Sequence, residues 1–234
     1  CDRVGWEGGG VRSRAVLIAI GNNREGRRCI LAVELAPRES ATTWRDFLVR
    51  LKERGLRGVE LVVSDAHEGL RQSIREVLPE AFWQRCYVHF LRNALEYTPR
   101  RKDTDALTEL RWLYERRNVA EARQDLAAWL QKWQNQHAKL CDWVEANIDE
   151  TLTFYRFPSS HTKHLRSTNM LERLNEELKR RTHIVRIFPN EASCLRLVRA
   201  LAVEQHEEWQ EGSVYLNMQP FHDERRKRLL QEVA

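Results

Sequence analysis

Apolar positions change their spacing several times along this chain, and each spacing predicts a different element. From Val16 to Ile20, "VLIAI" is a short β-branched run; the turn signal "GNNREG" follows, and "CILAVEL" from Cys29 to Leu35 completes a predicted β-hairpin. Trp44, Phe47, Leu48 and Leu51 form one stripe of a helix over Thr42–Arg54, with Gly55 placed to stop it. "VELVVSD", Val59 to Asp65, then predicts a buried strand, and "GLRQSIREVLPE" a helix that turns Leu70, Ile74, Val77 and Leu78 inward and ends at Pro79. "FWQRCYVHF" predicts a further strand.

Two strands, a helix, a strand, a helix and a strand in that order predict an α/β fold with a mixed sheet flanked by helices. The two strands joined through a helix should run parallel by a right-handed crossover, and Asp65 falls at the end of one, where such sheets place their chemistry. Between about Tyr97 and Phe157 only helical spacing remains: Leu107, Leu110 and Tyr114, then Ala122, Leu126, Trp129 and Trp133, then Leu140, Trp143, Val144 and Ile148. This predicts an all-helical insertion bounded by "TPRRKD" and "RFPSSHTK", so that the chain divides into residues 1–96, 97–158 and 159–234. Four of the eight tryptophans lie in the insertion, and their helical spacing favours packing between helices over stacking on bases. A helix from "STNMLERLNEELKRRT" and a long amphipathic one from Glu191 to Trp209 close the pattern, before a charged tail.

Composition changes this picture little. At 234 residues and 42% hydrophobic content the chain can bury a core, and 39 basic against 34 acidic residues allow a polyanionic partner without requiring one. No apolar run is long enough to span a bilayer and no secretory signal is present, so the expected location is the cytoplasm. Five cysteines, at 1, 29, 86, 141 and 194, are odd in number and scattered, which suits reduced thiols. The chain starts at Cys1 and its only methionines are Met170 and Met218, so it is expected to be part of a longer protein.

Three features could carry chemistry. Asp65 ends a strand, Glu172 opens the helix that starts near Thr168 or Asn169, and Lys179, Arg180, Arg181 and Arg186 crowd that helix's far end. Two carboxylates brought together by folding would supply the hard oxygen ligands that Mg²⁺ needs for phosphodiester chemistry. Each also has a plain structural account: Asp65 as a cap for the next helix, Glu172 and the basic cluster as complements to a helix dipole. "CYVH" adds Cys86 and His89, but the sequence offers no second CxxC or HxxxH to complete a structural zinc site. In a strand the two would face opposite ways and could share a site only if the strand ended between them. His89 could orient or transfer protons beside a metal-bound phosphate, or serve as a hydrogen-bonded structural residue.

"VVSDAHEGL", "WQRCYVHFLRNAL", "STNMLERLNEELKRRT" and "IFPNEAS", in that order and at these distances, closely resemble the catalytic part of bacterial insertion-sequence transposases of the mutator type, from about Val11 to near Leu216. The resemblance implies an RNase H-like fold with an Asp, Asp, Glu triad and a helical insertion before the Glu. It matches Asp65 to the second catalytic Asp, Glu172 to the catalytic Glu, and Cys86 and His89 to a Cys-x-x-His signature, with His89 auxiliary. The first Asp of the family opens a strand in a pattern like "LDxxY"; an ungapped count from "VRSRAVL" places it just before Cys1, and Asp2 of "CDRV" fits once a small deletion is allowed. The family's N-terminal region that binds DNA ends falls outside this sequence. The resemblance further implies two Mg²⁺ ions on Asp65, Glu172 and Asp2, replaceable by Mn²⁺, with Lys179, Arg180, Arg181 and Arg186 along the DNA backbone. The implied activity is strand cleavage and strand transfer by a homodimer or larger assembly on paired transposon ends, at the bacterial nucleoid and away from membranes. The alternatives are a truncated, inactive remnant that binds only DNA or a partner chain, and a nuclease of the same fold that cuts without joining.

Overall fold

A computed structural model of the chain describes residues 2–5, 11–98, 105–185 and 187–233. In chain order it contains β1 (Asp2–Gly5), β2 (Val11–Asn22), β3 (Arg28–Ala36), α1 (Ala41–Glu53), β4 (Leu61–Ser64), α2 (Glu68–Val77) and β5 (Phe82–Arg85). Helices follow: α3 (Tyr87–Ala94), α4 (Asp105–Arg111), α5 (Val119–Trp133), α6 (Ala138–Asn147), the single turn α7 (Thr162–Leu165), α8 (Asn169–Thr182), α9 (Glu191–Glu211) and α10 (Gln219–Val233). The polypeptide divides into two compact units: Cys1–Val59, Glu68–Pro79 and Asn169–Ala234 form the first, Glu60–His67 and Glu80–Thr168 the second.

In the first unit β1, β2 and β3 form an antiparallel sheet, with a register shift in the β2–β3 pairing between Ala19 and Ile20. The predicted hairpin is therefore present. Its tip needs a glycine: Gly26 has φ +77°, and a Cβ there would lie 1.8 Å from the Leu216 carbonyl oxygen. The Gly26 carbonyl accepts from the Tyr215 and Leu216 N–H groups, each at 3.0 Å, which holds the tip against the segment after α9. Helix α9 covers the sheet, burying Cys194, Val198, Ala202 and Trp209 with Ile18 and Val33 and with Leu174 and Leu178 of α8. The Arg28 guanidinium lies 4.8 Å from both the Trp209 and Tyr215 ring centroids. Ser40 caps α1, accepting from the Thr43 N–H at 3.2 Å, and Gly55 takes φ +103° just after the helix, the stop that the sequence predicts. Ser73 of α2 donates to the Ala41 carbonyl at 2.9 Å and so ties α2 to the start of α1.

In the second unit β4 and β5 pair in parallel, Leu61 opposite Phe82 through Ser64 opposite Arg85. The parallel pairing is as predicted; a single mixed sheet is not. Among the described residues the strands form a three-stranded antiparallel sheet and a separate parallel pair, each in its own unit. The predicted strand "FWQRCYVHF" also divides, into β5 and α3, because a short apolar run carries too few periods to distinguish strand from helix. The core of this unit is helical: Phe90, Leu110, Tyr114, Leu140, Val144, Ile148 and Phe154 are completely or almost completely buried. Trp129 donates to the Ala106 carbonyl at 2.8 Å and Trp133 to Glu109 at 3.0 Å, while Trp143 stacks between Phe90 and Tyr97. Packing, not base stacking, occupies these three rings. Gln84, fully buried on β5, donates to the Arg85 and Thr151 carbonyls and accepts from the Phe154 N–H, so a polar side chain welds strand to helical core.

Among the described residues no helix is long and apolar enough to cross a membrane.

Candidate active site

The residues that sequence reasoning singled out fall on both units, and each unit arranges its own. In the second, β4 delivers Asp65 to its C-terminal end. Ser64 secures that end: its hydroxyl donates to the Asp65 carbonyl at 2.8 Å and accepts from the Trp83 indole at 2.9 Å, and its carbonyl accepts from the Cys86 N–H at 2.7 Å. The Asp65 carboxylate is exposed, and its Oδ1 accepts from the His67 N–H at 3.2 Å in an Asx-type turn that comes just before α2 begins. Asp65 thus shapes the loop while presenting its carboxylate to solvent.

Cys86 sits where β5 gives way to α3, and that change of structure brings it together with His89. One helical turn separates them, so both approach the same neighbour, Thr168. The Thr168 N–H and hydroxyl lie 3.3 Å from the Cys86 Sγ, and the hydroxyl lies 3.5 Å from His89 Nδ1. Burial pushes the Cys86 thiol up, and the hydrogen bonds from His89 and Thr168 outweigh it, leaving the thiol below its ordinary value. Cys86 is wholly buried, and its sulfur accepts from the Thr168 N–H and hydroxyl. The chain is held again two residues earlier: the Arg166 carbonyl accepts from the Tyr87 N–H at 3.0 Å, and its guanidinium reaches the Tyr114 carbonyl at 2.6 Å and Glu115 at 2.7 Å. The start of α3 therefore grips the segment that leads directly into α8. Thr168 was legible only as a helix cap; its bond to a thiol 82 residues away has no local signal.

In the first unit Glu172 lies in the first turn of α8, half-buried, while Leu174, Leu178 and Thr182 face the core. Lys179, Arg180 and Arg181 occupy the last turn. Arg180 makes a two-pronged pair with Glu177 at 2.8 and 2.9 Å; Arg181 reaches Glu177 and Glu204, each at 2.7 Å. The two guanidinium groups hold the Glu177 carboxyl down at about 2. These exposed pairs are weak in water. Arg186 lies outside the described residues, and of Asp2 only the backbone is described: it belongs to β1, opposite Arg14 on β2.

Comparison with known proteins decides the family. The family model "Transposase, Mutator family" matches residues 3–212. This chain belongs to the Mutator family of transposases. It is 62% identical over 225 residues to the transposase for insertion sequence element ISRM5 of Rhizobium meliloti (strain 1021), covering 96% of this chain and 56% of that protein. Against the transposase for insertion sequence element IS406 of Burkholderia multivorans the identity is 45% over 207 residues, 88% of this chain and 53% of the relative. Against the transposase for IS256 in transposon Tn4001 of Staphylococcus aureus it is 37% over 201 residues, 85% and 51%. The Mutator-family chain spans about half the length of the curated relatives it matches.

Proposed function

We propose that this chain is the catalytic part of an insertion-sequence transposase that cuts DNA strands and joins them to a target, built on an RNase H-like arrangement of its strands. The observation that carries the reading is the pairing of family membership with two carboxylates in separately built settings: Asp65 at the exposed end of a parallel strand, and Glu172 in the first turn of a helix with a basic end. Asp2, on β1, is the third carboxylate.

Carboxylate oxygens are the donors that Mg²⁺ prefers and Mn²⁺ shares, so Asp65 and Glu172, joined by the Asp2 of the family resemblance, would hold two such ions. When bound, the ions supply Lewis-acid stabilisation of the phosphoryl oxygens and lower the pKa of water or of a 3′ hydroxyl. The chain's own residues do the rest. Ser64 and the Asx-type turn keep the Asp65 carboxylate oriented, and the grip of Cys86 on Thr168, supported by His89, fixes the backbone four residues ahead of Glu172. Lys179, Arg180, Arg181 and Arg186 contact backbone phosphates and thereby set the register of the duplex without reading its sequence. Work on two transposon ends requires two or more copies of the chain, acting on DNA at the nucleoid.

The test is a cleavage and strand-transfer assay with the complete transposase on duplexes carrying the element's ends. Asp65→Asn and Glu172→Gln, folded as judged by circular dichroism, should each lose Mg²⁺-dependent cutting and joining by on the order of a thousandfold. Undiminished cutting in either variant would remove that residue from the site. Cutting without joining by the wild type would reduce the protein to a nuclease, and binding without cutting would make it an inactive remnant.

A further inference from the structure

The end of β4 carries a short chain of hydrogen bonds whose direction is set by one residue, Trp83 of β5. Trp83 sits opposite Val62 in the parallel ladder, and Val62 and Ser64 share one face of β4, so the indole lies on that face and reaches one step along it to Ser64. An indole N–H only donates. Its 2.9 Å contact with the Ser64 Oγ therefore makes the hydroxyl an acceptor on that side and leaves the hydroxyl's single proton for the Asp65 carbonyl, 2.8 Å away. Without the indole the hydroxyl could turn its proton away from that carbonyl. Ser64 is 7% exposed, so water competes little for either bond.

The relay ends at the carboxylate. The Asp65 carbonyl lies in the same rigid peptide plane as the Ala66 N–H, and the next N–H, that of His67, holds the Asp65 Oδ1 at 3.2 Å. A peptide plane that turns at Asp65 moves His67 with it and releases the carboxylate. Trp83 in turn stands on an anchored strand: its neighbour Gln84 points to the opposite face and is bonded to the Arg85 and Thr151 carbonyls and to the Phe154 N–H. The path thus runs from the buried helical core through Trp83 and Ser64 to Asp65, all within the second unit.

We propose that Trp83 is a positioning residue for the Asp65 carboxylate, acting through the Ser64 hydroxyl. The proposal rests on the reading of Asp65 as a metal-binding carboxylate given above. A carboxylate that must meet a small, hard cation at near-octahedral geometry tolerates little rotation, and residues that orient such a ligand are commonly worth about tenfold or more in metal affinity. This role is separate from burial of the ring. A phenylalanine at the same position keeps most of the apolar contact and loses only the donor.

The experiment uses the complete transposase with Trp83→Phe, Ser64→Ala and the double variant. Hydrogen exchange is followed on the metal-free proteins, and cutting of duplexes carrying the element's ends is followed as Mg²⁺ is varied. Trp83→Phe should speed exchange several-fold at the Ala66 and His67 amides while the helical core exchanges as in the wild type. It should raise the Mg²⁺ concentration for half-maximal cutting by about tenfold, with most of the maximal rate regained at saturating Mg²⁺. Because the two bonds act in series, the double variant should be no worse than Ser64→Ala. Unchanged exchange in Trp83→Phe, or faster exchange with an unchanged Mg²⁺ requirement, overturns the positioning role. A double variant whose loss is the product of the two single effects does the same. Faster exchange throughout the second unit in Trp83→Phe assigns the ring to packing and also overturns it. Asp65→Asn separates the two readings: full cutting by that variant overturns the reading of Asp65 itself, whereas loss of cutting there with wild-type behaviour in Trp83→Phe overturns only the role of Trp83.

Discussion

The two units of this chain treat polar groups in opposite ways. Apart from Ser73 and Thr182, every buried polar or charged residue among the described ones belongs to the second unit: Ser64, Gln84, Arg85, Thr98, His137, Thr151, His161 and Thr168. These form specific links, such as Gln84 to Thr151 and Phe154, the Tyr114 hydroxyl to Thr151 at 2.8 Å, and Thr168 to Cys86. In the first unit Ser73 and Thr182 are the buried polar residues among the described ones, and α8 and α9 carry exposed arginine–glutamate pairs outside an apolar core. A buried network tolerates one geometry, because any broken link strands a desolvated group. Exposed pairs exchange partners at little cost. The second unit is therefore built to hold the end of β4 and the approach to α8 in place, and the charged pairs on the surface of the first can rearrange at little cost.

The largest effect that would sharpen this contrast lies in the helical core. Trp129 is 5% exposed and its indole is hydrogen-bonded, so Trp129→Ala should cost about 3 to 5 kcal/mol in urea unfolding. A cost below about 1 kcal/mol would show that the ring is not packed and would return base stacking as its role.

Next comes the polar weld. Gln84→Ala removes three hydrogen bonds and strands the Phe154 N–H and the Thr151 carbonyl, which should lower stability by about 3 kcal/mol. If the loss is negligible, the network does not set the rigidity of the second unit and the comparison fails.

Smaller still is the expected change at the charged surface. Arg181→Ala should leave the thermal midpoint nearly unchanged while reducing the slope of log binding constant against log salt for duplex DNA by about 1. A large drop in melting temperature with an unchanged slope would make the ion pair structural.

The smallest concerns acid. Arg180 and Arg181 depress the Glu177 carboxyl from its ordinary value of 4.5 to about 2. A carboxyl depressed in the folded state contributes stability that is complete above the unfolded value and is lost as pH falls through the folded one. Glu177→Gln should therefore flatten the acid limb of a melting curve series slightly between pH 4.5 and 2, with no change near neutrality beyond the loss of the pair itself. Addition of salt should shrink the difference, because the pair is open to solvent.

Periodicity alone determined a good deal of this protein. Strict spacing made the β2–β3 hairpin, α1 with its Gly55 stop, and the stripes of α5, α6, α8 and α9 readable, because each depends on neighbours within a few residues. The same local rules put Asp65 at a strand end and Glu172 in a first turn. Ordered motifs at long range carry the resemblance to the family. Tertiary structure decided the rest. "CYVHF" is a strand or a helix depending on what covers it, and the Thr168 contact with Cys86 is part of the setting in which α3 begins at Tyr87. The separation of the strands into an antiparallel sheet and a parallel pair and the partners of Arg180 and Arg181 have the same origin. Each depends on groups distant in sequence meeting in space, where desolvation and hydrogen-bond geometry, which no local pattern encodes, choose among conformations of similar local energy.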